Sequence, residues 1–392
     1  MITTPLQIMI IGDQLLPHLI CGLDETLKTQ NILLLHTPDR LNAAKRLATV
    51  FQKYHIQPHL LEIQSAFNPE HIQQDLNHLK TWLTTHLPQH RPTLNFTIGT
   101  KLQAVLYTQF AQKQNWHITY LNNQDQLIWL NPQNIPPHDL QDRITLEDAL
   151  LIHNYRILKQ QKLPQTPAYI QVTQNIIDRL EHLQNPLKTL NYLAFKAQNL
   201  KLPPLKNTTN HMQTLLALFI KSGFIKNKNN QLTFTSPQAK FFANGGWLEV
   251  HLAHHIQKLS QQLPQLQDHA MGLEVENITT GVKNELDNVI LYNNTLHIIE
   301  CKTKNFKKNT NPDGDGAQAL YKLDTLADFI GGAFAKTMLA TIFPLTKSDQ
   351  KRAQQYQIEL LTGTNIKHTQ TKLKNWLTTS PSQQPKHTPT PS

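Results

Sequence analysis

Asn293-Asn294 separates two β-rich runs, Glu285 to Tyr292 and Thr295 to Lys302, and no other feature constrains the fold as tightly. Asparagine tolerates positive φ, so the pair predicts a two-residue hairpin turn. Tyr292 then faces Thr295, and the register is fixed from there. Asp287 falls opposite Glu300, with Cβ atoms roughly 4.5–5.5 Å apart. Strand alternation puts Lys302 on the same face. The rest of that face is apolar at Val289, Leu291, Leu296 and Ile298, so the acids continue a buried surface. Like charges placed opposite one another are destabilising without a cation between them. Two carboxylates and a lysine so placed can hold a divalent cation and steer a water.

A chain of 392 residues exceeds one ordinary core and predicts two or three domains. The first apolar run, 6–11, is short and ends at Gly12-Asp13. It reads as a strand rather than a signal peptide or membrane span. Cys21 and Cys301 lie far apart and imply no disulfide framework, so a cytoplasmic location is the simplest expectation. The formal charge of +10 is uneven. Residues 1–140 balance nine Lys/Arg against nine Asp/Glu, whereas 141–244 carry thirteen against five. Such a segment can track a phosphate backbone, or can be a solvated helical surface. Thirty of the 37 cations are Lys, point charges that give little sequence specificity.

Strand signals at 7–11, 31–36, 59–63, 94–98, 116–121 and 127–130 alternate with helical patterns at 41–54, 70–87 and 102–114. That alternation predicts an α/β, Rossmann-like doubly wound sheet over 1–139. Residues 140–244 read as mainly helical, interrupted at Pro164, Pro167, Pro186 and Pro203-Pro204. Their end, a helix at 210–221, a hairpin across 226–235 and a helix from Ser236, resembles a winged-helix element, either a duplex binder or a dimerisation spacer. Residues 245–377 form a third unit: a helix from Gly246, the hairpin, helices at 317–330 and 347–356, a strand at 358–361 and a last helix. The proline-rich tail 378–392 reads as disordered.

Asp287, twelve residues, Glu300, one residue and Lys302 resemble the PD-(D/E)xK nuclease core. In that chemistry the carboxylates bind Mg²⁺ or Mn²⁺, and the lysine orients the water or stabilises the transition state. A surface cross-strand cluster is the bland alternative. Glu249, at the start of the helix after Gly245-Gly246-Trp247-Leu248, can add a third carboxylate. Gly-Gly-Trp-Leu-Glu at 245–249, Asn284-Glu285-Leu286-Asp287, Ile299-Glu300-Cys301-Lys302-Thr303 and Tyr321-Lys322-Leu323 follow in that order. Together they resemble the CARF-domain nucleases of type III CRISPR systems, the Can/Card group, over the whole chain before the tail. The resemblance implies a metal-dependent nuclease with a restriction-endonuclease-like domain, switched on by a cyclic oligoadenylate. By that likeness Glu249, Asp287, Glu300 and Lys302 form the active site, the three acids hold the metal, and Lys322 contacts phosphate.

The first domain agrees. Gly12-Asp13-Gln14 and Gly99-Thr100-Lys101 follow predicted parallel strands, where ligands bind in open α/β sheets. Backbone amides at a helix start and the Lys101 ammonium suit phosphates. Gly12, Asp13, Gln14, Thr97, Gly99, Thr100 and Lys101 are therefore the candidate activator contacts. The family commonly carries a glycine where Ile98 stands. The resemblance, together with the two-fold symmetry of a pocket shared by two identical chains, favours cyclic tetra-adenylate and a homodimer paired through the sensors. His251, His254 and His255 read as helix-surface residues rather than zinc ligands, since the H-E-x-x-H glutamate is missing. Lys302, Lys304, Lys307 and Lys308 either guide substrate or form a solvated loop. The expected activity is cleavage of DNA, RNA or both with little sequence preference. The alternatives are a non-catalytic nucleotide-sensing regulator on DNA, which has no need of Asp287, Glu300 and Lys302, and a metabolic enzyme, for which no G-x-G-x-x-G loop exists.

Overall fold

The computed structural model describes residues 4–122, 125–205, 208–303, 315–331 and 335–379. Contacts divide it into two compact units, one up to Tyr155 and the other from Arg156. The first contains β1 (Thr4–Ile10), α1 (Leu16–Leu23), β2 (Asn31–His36), α2 (Leu41–Lys53), β3 (Gln57–Glu62) and α3 (Pro69–His86). It continues with β4 (His90–Asn95), α4 (Lys101–Lys113), β5 (His117–Leu121), β6 (Gln126–Asn131), β7 (His138–Asp139) and α5 (Leu146–Ile152).

Its sheet runs β3-β2-β1-β4-β5-β6-β7. The first five strands are parallel, and β6 and β7 are antiparallel additions. Ile32, Leu33, Leu34 and Leu35 of β2 are all fully buried. A continuous apolar run with both faces covered is what an inner parallel strand requires. The chain winds one way from β1 to β3 and the other way from β4, so the switch point lies between β1 and β4. Expected and observed elements agree closely here. The differences are α1 and α5, which the strand–helix pattern did not signal, and strand ends that stop before the loops. β4 ends at Asn95, not at residue 98.

The second unit contains β8 (Tyr155–Gln161), α6 (Pro167–Asp178), α7 (Leu180–Lys196), α8 (Asn210–Lys221), β9 (Ile225–Lys228) and β10 (Gln231–Phe234). Next come α9 (Pro237–Phe241), α10 (Trp247–Ser260), β11 (Leu266–Asn277), β12 (Lys283–Tyr292) and β13 (Thr295–Lys302). It ends with α11 (Asp315–Gly331), β14 (Lys336–Thr341), α12 (Lys347–Gln355), β15 (Ile358–Thr362) and α13 (Thr369–Thr378). Its sheet order is β15-β14-β13-β12-β11-β8. β11, β12 and β13 form an antiparallel meander, and β13, β14 and β15 are parallel.

The helix–hairpin–helix order predicted over 210–236 is present, with Ser236 capping α9. Pro186 does not interrupt the chain as expected; α7 runs through it, with Pro186 buried against the core. One apolar cluster joins α6–α10 to Ile290, Ile299, Cys301, Met338 and Ala340 on one sheet face, and to α13. α11 packs on β13 and β14. β8, β11 and β14 were not foreseen: β14 is buried at five of six positions and so lacks the alternation that marks a half-buried strand. The lysines at 304, 307 and 308 and the tail from residue 380 lie outside the described residues. Among the described residues no helix is long and apolar enough to cross a membrane.

Candidate active site

The hairpin turn is as expected. Asn293 and Asn294 take φ of 47° and 55°, and the register runs from Tyr292↔Thr295 to Asn288↔Ile299. Positive φ at both central residues suits a tight hairpin whose twist matches its strands. Backbone pairing of β12 with β13 ends there, one residue before Asp287 and Glu300. Beyond that point the Cys301 amide donates to Asp287 Oδ2 at 2.6 Å, and β13 continues beside β14 through Glu300↔Leu339 and Lys302↔Thr341. The Glu300 side chain is 7% exposed and ion-paired with the Lys302 ammonium.

Glu249 enters from the first turn of α10. A kink over Phe242–Gly246 sets that turn, with Gly245 at φ +109°. A Cβ on Gly245 would lie 2.0 Å from Thr303 Oγ1, and one on Gly246 would meet the Phe241 ring at 2.4 Å. Gly245 is therefore needed for α10 to approach the end of β13, and Gly246 for the chain to turn past Phe241. Asn288, fully buried, donates through Nδ2 to the Glu249 carbonyl at 3.2 Å. Asn191 Nδ2 from α7 donates to the Thr303 carbonyl at 3.0 Å and to its Oγ1 at 3.1 Å.

The electrostatics follow from this crowding. Burial, then the charges of Asp287, Glu285 and Glu300, push the Glu249 carboxyl far above the usual range. Burial, then Glu300, push Asp287 up as well. Burial works against the Lys302 ammonium, but Glu300 and Asp287 outweigh it and raise its pKa. Ionised together, the three acids would carry more negative charge than one lysine neutralises, which is why their charged forms are costly without a further cation. Oxygen donors with surplus negative charge fit a hard divalent cation such as Mg²⁺ or Mn²⁺. Among the described residues, however, no three His, Cys, Asp or Glu side chains stand at ready coordination spacing. Glu300 is engaged by Lys302, and Asp287 by the Cys301 amide.

Lys322 is exposed on α11 and makes no ion pair with the acids among the described residues. His251 is not on the helix surface as expected: it is 8% exposed, and its Nε2 meets Thr369 Oγ1 at 3.0 Å. Burial, with His255 as a lesser cause, pushes its pKa down to about 3. It is a packed core histidine. Sequence reasoning gave Asn191, Asn288 and Thr303 no role. Thr303 closes a quoted motif and Asn288 follows one, whereas Asn191 carries no local signal at all.

In the first unit the two predicted loops meet at the switch point. A Cβ on Gly12 would lie 2.6 Å from Ile98 Cγ2, so Ile98 fills the space that Gly12 leaves. Gly99 takes φ of +120°. Thr97 is occupied in bracing the loop, donating to Asn95 Oδ1 at 2.6 Å and accepting from the Leu121 amide at 2.8 Å. Thr100 caps α4, and its own amide donates to Gln103 Oε1 at 3.0 Å, so that amide is not free as expected. Lys101 and Gly99 are exposed, and Gln14 is partly so. Asp13 pairs with Arg40 at 2.5 Å, a cation on the same loop edge that sequence reasoning missed.

Two family models match. The Card1 CARF domain matches residues 6–149, and the endonuclease domain of Card1-like proteins matches 236–380. The protein VC1899 from Vibrio cholerae superposes with a TM-score of 0.87 at 27% identity, over 95% of this chain and 97% of that one. Can2 from Sulfobacillus thermosulfidooxidans, solved in complex with cyclic tetra-adenylate, gives 0.79 at 25% identity, over 95% and 99%. A type III CRISPR defence DNA nuclease activated by cyclic oligoadenylate shares the fold, with a TM-score of 0.55 at 15% identity over 88% of this chain and 47% of that one. No curated protein matches by sequence. An endonuclease domain stands against the non-catalytic regulator. With a CARF domain and an endonuclease domain matched in order, the chain belongs to the Card1-like CARF-domain nucleases of the Can/Card group.

Proposed function

We propose that the chain is a metal-dependent endonuclease, activated by cyclic tetra-adenylate, that cleaves nucleic acid with little sequence preference. One observation carries the catalytic part: Glu249, Asp287 and Glu300 are held in a mostly buried cluster whose only close cation is Lys302 among the described residues. Burying like charges is costly, and a fold retains such an arrangement where a bound cation offsets the cost. Glu249, Asp287 and Glu300 would hold Mg²⁺ or Mn²⁺, which when bound supplies an activated water and neutralises phosphate charge. Lys302 would then be released from Glu300 to donate to the phosphate oxygen as charge develops there. The Cys301 amide fixes the Asp287 carboxylate, and Asn288 and Thr303 fix the approach of α10.

Activation is supported by the CARF match and by the ligand that Can2 holds. Gly12, Gly99 and Lys101 would meet the activator's phosphates, with Arg40 released from Asp13 as a further cation and Thr100 holding the loop through Gln103. A two-fold ring suits two copies of this unit, so the active form would be a homodimer. The activator shifts the population only by its differential affinity for the active arrangement. Lys322 stands as a phosphate contact supplied from α11.

The test is direct. Purified protein is incubated with Mn²⁺ or Mg²⁺ and labelled single- and double-stranded DNA and RNA, with and without cyclic tetra-adenylate. Activator-dependent cleavage is expected from the wild type and its loss from Glu300→Ala and Lys302→Ala. No cleavage of any substrate, or full cleavage by Glu300→Ala, overturns the reading.

A further inference from the structure

Between Glu181 and Glu249 the sequence contains eight lysines and not one acidic residue. α7 begins this stretch, and its buried side is tied to the carboxyl ends of two parallel strands. Gln184 Nε2 donates to the carbonyl of Ile342, just past β14, at 2.9 Å. Asn191 holds Thr303, the residue that follows Lys302, in the same way. α7 therefore packs on the sheet face of Ile299 and Cys301 and reaches the strand end next to Lys302.

Beside Asn191, Tyr192 is 60% exposed, and Phe195 is 63% exposed. Residues three apart share a helix face, so the two rings form one surface. The Lys196 ammonium lies 5.9 Å from the Tyr192 centroid and 5.6 Å from that of Phe195. Lys188, one turn earlier, continues the same face. Phe195 lies about 6 Å along the helix axis from Asn191. Both rings are mostly exposed, and neither belongs to the apolar core cluster among the described residues. Aromatic rings rimmed by lysines, within a stretch free of acids, match one partner: unpaired bases stack on the rings while their phosphates meet the cations.

We propose that Tyr192 and Phe195 form a base-stacking platform that holds an unpaired stretch of nucleic acid beside the centre of Asp287, Glu300 and Lys302. Its position relative to the chemistry rests on the nuclease reading; its occupant rests on charge and exposure alone.

The experiment measures binding without cleavage. Fluorescence anisotropy follows a short labelled oligodeoxythymidylate on the full-length protein, with Ca²⁺ replacing the catalytic cation and cyclic tetra-adenylate present. A matching abasic sugar-phosphate strand is the second probe. The double variant Tyr192→Ala/Phe195→Ala is expected to bind the base-bearing strand roughly 10- to 100-fold more weakly. Its affinity for the abasic strand and its melting temperature stay at the wild-type values. The conservative pair Tyr192→Phe/Phe195→Tyr retains wild-type binding. Equal binding of the base-bearing strand by wild type and the alanine pair overturns the proposal, as does an equal loss on both probes or no binding by the wild type. A changed oligomeric state of the alanine pair in light scattering also overturns it and assigns the face to a second copy of the chain. A wild type that binds strands but cleaves none defeats the nuclease reading instead, so the two failures fall in different measurements.

Discussion

The amide of Cys301 donates to Oδ2 of Asp287 at 2.6 Å, across two strands whose backbone pairing has ended one residue earlier. The carboxylate takes the place of a ladder acceptor, which locks its orientation. Burial and neighbouring acids make its charge costly. Asp287→Asn keeps an acceptor for the amide and removes the charge. We expect it to melt a few degrees higher, a gain of about 1 kcal/mol, while activator-dependent cleavage falls roughly 10²–10³-fold. Thermal melts beside cleavage rates check this; a lower melting point counts against the electrostatic account.

Gly245→Ala tests the approach of α10 to β13. The new Cβ meets Thr303 Oγ1 at 2.0 Å in a backbone conformation at φ +109°. Strain of this kind costs about 1–3 kcal/mol before the clash is added. The expected result is lower stability together with lost cleavage, and partial recovery of both when Thr303→Ala is added. Denaturant titration of the single and double variants reads the coupling.

Acid sensitivity should come in part from His297. It is 1% exposed, and its Nδ1 donates to the Thr295 carbonyl at 2.9 Å. Burial, then the Lys336 charge, push its pKa from 6.5 down to about 3. The unfolded chain takes a proton that the folded chain refuses. Stability is therefore full above the unfolded value and is lost as pH falls from it towards the folded one. His297→Gln should flatten the fall between about pH 6 and 4 by up to about 1.4 kcal/mol per pH unit. Urea titrations across that range would show no such flattening if the ring were solvated.

Lys101→Ala addresses the sensor alone. Lys101 is exposed at the start of α4, beside the cap formed by Thr100 and Gln103. A charge-assisted contact to phosphate is worth about 1.5–3 kcal/mol. Calorimetry with cyclic tetra-adenylate should show roughly 10- to 100-fold weaker binding. Cleavage at saturating activator should match the wild type. Unchanged affinity would remove Lys101 from the pocket.

Much of the molecule was legible before any coordinates. The Asn-Asn pair set the register of β12 and β13, because a two-residue turn leaves no slack and alternation then assigns every side chain a face. The parallel strands of the first unit announced themselves as buried apolar runs between amphipathic helices. The hairpin of β9 and β10 was visible as well, because its turn residues and the flanking caps are local. The strand β14 was not, since burial on both faces erases the period. Pro186 misled because local rules forbid a helix that tertiary packing sustains.

The order of the candidate acids and the hairpin register that leads to Asp287 and Glu300 were thus legible in the sequence, through interactions that reach only a few residues along the chain. What only the tertiary structure decided is how those acids are held and shut in. Asn191 grips Thr303 across 112 residues, and Asn288 reaches Glu249 across 39. Lys302 turns to Glu300, and Thr100 spends its amide on Gln103. Such contacts depend on where distant segments come to rest in space, and the low-polarity surroundings that shift the carboxyls exist only once those segments have packed.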